Sequence, residues 1–251
     1  MKILISNDDG VTAPGILELN KALSEIAETL IVAPDRNRSG ASSSLTLENP
    51  IRIRTITDNR FAISGTPADC IHIAREVFFT EHLPDLVVCG INMGANLGDD
   101  VIYSGTVAGA IEGVFLGVPA IAVSLVNGNE AYLANAAKIV KNLIQHDVMD
   151  SLGPNQILNV NVPDIPADEI KGYKLTRQGH RHRDNVVLPA KDARGNDIYW
   201  LGPPQAGKRV TDGTDFHAIE QGYVSITPLS VDLTAYSAFE GLDKHIEELA
   251  I

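Results

Sequence analysis

Hydrophobic and polar positions follow two alternating rhythms along the first two thirds of the chain. Lys2–Ser6, Thr29–Ala33, Leu86–Ile91, Ala120–Leu125 and Ile157–Val162 are short, nearly continuous apolar runs of strand length. Between them, Gly15–Ala27, Pro67–Phe79, Ser104–Leu116 and Glu130–His146 repeat their apolar residues at helical spacing. In the first of these the apolar positions are Ile16, Leu19, Ala22, Leu23 and Ile26. Pro67 suits the first turn of a helix. Ile51–Ile56 and Phe61–Ile63 alternate on either side of Asp58-Asn59, which predicts a hairpin. Strands with no polar face, separated by amphipathic helices, predict an α/β fold with a mostly parallel sheet covered on both faces.

The texture changes near Pro163. Prolines, glycines and short alternating runs follow, at Tyr173–Thr176, Ile198–Leu201 and Tyr223–Thr227. The pattern divides the chain into a core over 1–163 and a β-rich extension over 164–251 built onto it. Tyr236–Ile251 reads as an acidic amphipathic helix. No internal repeat or low-complexity segment is visible.

Composition narrows the function classes. With 251 residues and 44% apolar content, the chain can bury a large core and is not intrinsically disordered. Its 32 acidic against 20 basic residues, a net charge of −12, argue against a nucleic-acid polymer as partner. A small phosphorylated ligand remains open, since a local site can hold it against the global field. Cys70 and Cys89 lie in apolar patterns and read as buried free thiols of a reducing compartment. The apolar run at the N-terminus is too short for a signal peptide. The longest apolar stretch, Val114–Val123, is interrupted by Gly117 and Pro119 and falls short of a membrane span. The expectation is a soluble cytoplasmic protein without a membrane partner.

Three phosphate signatures fail. No predicted strand is followed by Gly-x-Gly-x-x-Gly. Gly202–Lys208 matches the first seven positions of a P-loop, but Arg209 stands where Ser or Thr should reach Mg²⁺, and Pro203-Pro204 remove backbone donors. Asp8-Asp9-Gly10 lacks the Asp-x-Asp of aspartyl-phosphate phosphatases. The one basic cluster, His180-Arg181-His182-Arg183, reads either as a solvated loop or as an attractor of phosphate at a site entrance.

Three other polar segments survive. Asp8 and Asp9 follow the first strand directly, and two adjacent carboxylates at a buried rim call for a hard cation such as Mg²⁺ or Mn²⁺. A plain turn into the next helix would also account for them. Ser39, in Asp35–Gly40 after the second strand, offers a hydroxyl in what is otherwise a flexible polar loop. Asn92 ends a third strand and opens Gly94-Ala95-Asn96-Leu97-Gly98, after which Ser104-Gly105-Thr106 begins a helix of small residues. A helix start with free N–H groups and two hydroxyls suits an anion, although a simply capped helix fits too. The three segments converge. In a parallel sheet Asp8-Asp9, Ser39 and Asn92 share one carboxyl edge, next to that helix start, as metal-assisted phosphate chemistry requires.

These segments resemble the SurE family of survival proteins. The resemblance rests on Lys2–Gly10 with Ala13-Pro14-Gly15, Val32–Ser42, Gly65–Cys70, Gly90–Ala110 and Gly222–Leu229, and covers nearly the whole chain. It implies a Rossmann-like core whose β-rich extension serves oligomerisation. It also implies a divalent-metal-dependent phosphatase acting on nucleoside 5′- and 3′-monophosphates, in some members on short polyphosphate. Carried onto this sequence, the metal ligands are Asp8, Asp9, Ser39 and Asn92, and the phosphate contacts Asn96, Ser104, Gly105 and Thr106. The family's dimers exchange a C-terminal segment, here from about Tyr236, so a homodimer or homotetramer is expected. Asp8 and Asp9 are the expected catalytic residues, with Asp8 the preferred general base. Two rivals are a metal-dependent nucleotide sensor without turnover and a transferase using the same metal site.

Overall fold

The computed structural model describes residues 1–181, 187–201, 208–209, 211–247 and 249. Nine strands form one sheet in the order β3-β4-β2-β1-β5-β6-β7-β13-β8. In chain order these are β1 (Lys2–Ser6), β2 (Glu28–Pro34), β3 (Ile53–Thr57), β4 (Arg60–Ile63), β5 (Leu86–Met93), β6 (Ala120–Leu125), β7 (Gln156–Val162), β8 (Tyr173–Leu175) and β13 (Val224–Ser230). β4, β2, β1, β5, β6 and β7 run parallel, while β3 and β13 are antiparallel to β4 and β7. Two small ribbons stand outside the sheet: β10 (Val187–Lys191) with β11 (Asp197–Leu201), and β9 (His180–Arg181) with β12 (Lys208–Arg209).

The strands lack a polar face because both faces are covered. Ile3 and Ile5 of β1 point to one cluster with Leu19 of α1 (Pro14–Leu23) and Val140 of α4 (Leu133–Gln145). Leu4, between them, points to the other, with Ile71 of α2 (Pro67–Phe78) and Val107 of α3 (Gly105–Phe115). This is the period-2 alternation of a strand with an apolar partner on each side. Local chemistry sets the helix starts. Thr66 and Asp69 form a reciprocal capping box ahead of Pro67, and Ser104 caps α3 by accepting from the Val107 N–H at 3.1 Å.

Element boundaries depart from the sequence expectations in definite ways. α1 stops at Leu23, because residues 24–27 turn into β2. The expected helix from Glu130 begins as a 3₁₀ turn, Glu130–Tyr132, before α4. In the tail, a 3₁₀ turn at Tyr236–Ala238 precedes the short helix α6 (Phe239–Ile246). Two strands of the chain after Pro163 join the core sheet. β13 pairs with β7 and β8 pairs with β13, so they extend the sheet itself. A short helix between them, α5 (Asp215–Glu220), has no counterpart in the periodicity. His182, Arg183 and Gly202–Gly207, from the basic cluster and the P-loop-like run, lie outside the described residues. No helix among the described residues is long and apolar enough to cross a membrane.

The strand order reverses at β1: the chain leaves β1 for β2 on one side and leaves β5, on the other side of β1, for β6. Loops leaving the carboxyl ends of β1 and β5 therefore diverge and leave a crevice between them. This is where ligands bind in open parallel sheets.

Candidate active site

Asp8 and Asp9 sit in that crevice. Asn7, fully buried, shapes their turn: its Nδ2 donates to the Gly10 carbonyl at 3.0 Å and its Oδ1 accepts from the Gly10 N–H at 3.2 Å. The turn is then tied to each neighbouring loop. The Arg38 N–H donates to the Asp8 carbonyl at 2.7 Å, which brings the loop after β2, and with it Ser39, against Asp8. The Met93 N–H donates to Asp9 Oδ2 at 3.3 Å, which brings the end of β5, and with it Asn92, against Asp9. The Thr106 hydroxyl donates to Asp8 Oδ1 at 2.5 Å, which brings the start of α3 to the same point.

Burial makes these carboxylates reluctant to ionise. Asp8 is almost fully buried, and desolvation raises its pKa, against hydrogen bonds from the Thr106 side chain and from the backbone of Asp8, Thr106 and Gly105. Asp9 is raised as well, first by burial and then by the charge on Asp8. Among the described residues no Lys, Arg or His pairs with either carboxylate.

The start of α3 differs in detail from an open anion cradle. Its first amides, at Gly105 and Thr106, face Asp8, so the positive end of the helix supports a carboxylate. Gly105 permits this approach. A Cβ there would lie 2.8 Å from Asp8 Cβ and 3.2 Å from Pro67 Cγ. Ser104 Oγ spends an acceptor site on Val107 but keeps its own proton available.

Ser39 is exposed at the rim and Asn92 is half-buried. The Asn92 Nδ2 donates to the Gly94 carbonyl at 2.8 Å, which orients the side chain. Among the described residues, neither the Ser39 hydroxyl nor Asn92 Oδ1 takes part in a hydrogen bond. Two carboxylates without a cationic partner beside two uncommitted oxygens form a donor set suited to a hard divalent ion. No three of the His, Cys, Asp and Glu side chains among the described residues converge as a metal site, so the set at this crevice depends on Ser and Asn oxygens beside its two carboxylates.

Two features of the site escape sequence reasoning. Asp215, on α5, is completely buried. It accepts from the Gly98 N–H at 2.7 Å, the Gly179 N–H at 2.8 Å and the Phe216 N–H at 2.9 Å. It therefore holds the segment after Asn96 against the extension. The Gly98 turn has a φ of +52°, and a Cβ there would meet the Gly179 carbonyl oxygen at 2.6 Å. Asn96 is likewise buried, and its partners come from β6 and β7. Asp215 carried only the signal of a Thr214-Asp215 helix cap, and the β7 asparagines only that of polar residues inside an apolar run.

The family model described as "Survival protein SurE" matches residues 3–185. The chain is 53% identical over 248 residues to "5'-nucleotidase SurE" of Vibrio cholerae serotype O1 (strain ATCC 39315 / El Tor Inaba N16961), covering 99% of this chain and 98% of that protein. A second relative of the same name, from Vibrio cholerae serotype O1 (strain ATCC 39541 / Classical Ogawa 395 / O395), is also 53% identical, covering 99% of this chain and 94% of its own length. Among solved structures, the "Crystal Structure of Sure Protein from Aquifex aeolicus" superposes with a TM-score of 0.87 at 41% identity, covering 99% of this chain and 100% of that one.

Proposed function

This chain belongs to the SurE family, and we propose that it is a metal-dependent phosphatase of nucleoside 5′-monophosphates, releasing nucleoside and phosphate. One observation carries the reading. Asp8, buried, and the adjacent half-buried Asp9 have no cationic partner among the described residues and face loops that bring Ser39 and Asn92. In this reading Asp8, Asp9, Ser39 and Asn92 hold Mg²⁺ or Mn²⁺. The ion supplies Lewis acidity toward a phosphoryl oxygen and acidifies water.

The chain's own groups supply the rest. Asp8, fixed by the Thr106 hydroxyl, is the general base that takes the proton of the attacking water. The Ser104 hydroxyl and the Asn96 side chain hold the phosphoryl oxygens as charge builds on them, while the Gly105 and Thr106 amides face Asp8 and keep it in place. Nucleoside 3′-monophosphates and short polyphosphate present the same terminal group and belong to the proposed substrate range.

We extend the proposal to assembly and location. Tyr236, Phe239, Leu242 and Ile246 in the tail are 51–65% exposed, an apolar stripe that a second copy would cover. We read 1–163 as the catalytic core and 164–251 as the extension that assembles it into a homodimer or homotetramer with exchange of the tail. The two unpaired, fully buried cysteines suit the cytoplasm.

A panel of nucleotides, polyphosphate and simple phosphate esters, assayed with Mg²⁺, Mn²⁺ or EDTA, tests the activity. Phosphate release from 5′-monophosphates that stops with EDTA is the expected result. Nucleotide binding without phosphate release would overturn the proposal in favour of a sensor.

A further inference from the structure

β7 lies in the interior of the sheet between β6 and β13, yet two of its residues are asparagines with no solvent exposure, Asn159 and Asn161. Asparagine is disfavoured inside strands, and burying its amide is costly unless the amide is hydrogen-bonded. Both side chains point to the α2/α3 side, where Ile157, two positions earlier, packs in the apolar cluster. On that face the sheet turns from apolar to polar toward the active-site edge. In register, Ala122 gives way to Ser124 on β6, and Leu229 to Thr227 and Ser225 on β13.

The buried amides converge on a single residue. Asn161 Oδ1 accepts from the Asn96 N–H at 2.9 Å, while its Nδ2 donates to the Asn96 carbonyl at 3.0 Å. Asn159 Nδ2 donates to the same carbonyl at 2.9 Å. Ser124 Oγ accepts from Asn96 Nδ2 at 2.7 Å, which fixes the side chain as well. Asn96 lies in the irregular segment between β5 and the 3₁₀ turn at Gly98–Tyr103, so side chains do for it what a neighbouring strand would otherwise do. Among the described residues Asn159 Oδ1 is buried without a hydrogen-bond partner, a cost that Val or Leu at this position would avoid.

We propose that Asn161, Asn159 and Ser124 are positioning residues that set the backbone and side chain of Asn96 for the phosphoryl group. The inference rests on the reading of Asn96 as a phosphate contact. It assigns the polar residues of β6 and β7 a role in ground-state and transition-state binding. Their role runs through Asn96, which each of them bonds.

The test compares the full-length variants Asn161→Ala, Asn159→Ala, Asn96→Ala and the double variant of Asn161 and Asn96, with Ser225→Ala as control. Ser225 shares the buried polar layer, 2.8 Å from the Thr176 hydroxyl, and among the described residues no hydrogen bond joins its side chain to Asn96. Misplacement of a binding group by about 1 Å costs up to about 100-fold in rate, so Asn161→Ala should lower kcat/KM by about that factor and Asn159→Ala by about tenfold. Inhibition by inorganic phosphate should weaken in parallel, and a crystal structure of Asn161→Ala should show Asn96 displaced. Within the Asn96→Ala background, removing Asn161 should cost nothing further. Ser225→Ala should lower the melting temperature comparably and leave both kinetic readouts unchanged. If Asn161→Ala does not fold, Asn159→Ala carries the comparison.

Wild-type kcat/KM and phosphate inhibition in the β7 variants, with Asn96→Ala impaired, would overturn the positioning role alone. Equal kinetic losses in the β7 variants and in Ser225→Ala would also overturn it, leaving a merely structural layer. An unimpaired Asn96→Ala would instead remove the phosphate-contact reading on which the role depends.

Discussion

The Thr106 hydroxyl and Asp8 Oδ1 are 2.5 Å apart, although 98 positions separate them in the chain. This bond joins the start of α3 to the turn after β1. It gives the buried carboxylate a donor from outside its own turn. Thr106→Val keeps the shape and removes the donor. Losing one preorganised donor at a reacting group costs about 100-fold in turnover, so kcat should fall by that order. Stability should fall by only about 2 kcal/mol, the scale of a hydrogen bond to a charged group. Thr106→Ser should restore most of the activity. Steady-state kinetics and urea unfolding of the two variants check the pair.

Gly105 is the steric counterpart of that bond. Its added Cβ would stand 3.0 Å from Asp8 Oδ2 as well as against the Asp8 and Pro67 carbons. Gly105→Ala should therefore push Asp8 away from the helix start. We expect an overpacking cost of about 1–3 kcal/mol and a loss of divalent-ion affinity. Thermal unfolding with and without Mn²⁺ measures both. Stabilisation by the ion equal to that of the wild type would show that Asp8 had not moved.

Asp69 gives the pH dependence its clearest handle away from the site. Burial alone would raise its carboxyl, but hydrogen bonds from Thr46 and Thr66 outweigh burial and hold it below the usual aspartate range. A lowered folded-state pKa adds stability above the unfolded value of about 3.9 and loses it as the pH falls through the folded value. Asp69 accepts from the Thr46 N–H at 3.0 Å through one oxygen and from the Thr66 N–H at 2.8 Å through the other, which asparagine cannot do. Asp69→Asn should thus be about 1 kcal/mol less stable at pH 7, the scale of a lost cap. The gap should close below about pH 4. Denaturation curves across pH 3–7 would contradict this if the gap stayed constant.

Asp215 holds the segment after Asn96 from the opposite side. Its two oxygens accept three backbone N–H groups, and asparagine has a single accepting oxygen with an NH₂ in place of the other. Asp215→Asn should leave a buried N–H facing a donor, at a cost of about 1–3 kcal/mol. Amide hydrogen exchange should accelerate at Gly98 and Gly179 more than in β1 or β5. Uniform acceleration across the sheet would contradict a local tether.

The alternation of apolar strands and amphipathic helices carried most of the parallel sheet, because each strand is sandwiched and each helix shows one apolar face. The Asp8-Asp9, Ser39 and Asn92 segments were legible as loops at one edge for the same reason. Three features were not. α5 is only six residues long, too short for periodicity to register, yet it delivers Asp215. The asparagines of β7 sit inside an otherwise apolar run, so the strand could be read while their common partner, more than 60 positions away, could not. Ser104-Gly105-Thr106 read as an open anion site, and only the folded chain shows two of its amides and one hydroxyl turned toward Asp8.

In the proposed centre, oxygen donors from three separate loops share one divalent cation. Titration of the purified protein with Mn²⁺, followed by the electron paramagnetic resonance signal of the free ion, counts the sites and measures their affinity. The wild type should hold one ion tightly per chain, with binding lost in Asp8→Asn and Asp9→Asn and weakened in Asn92→Ala. Unchanged stoichiometry and affinity in the two aspartate variants would contradict it.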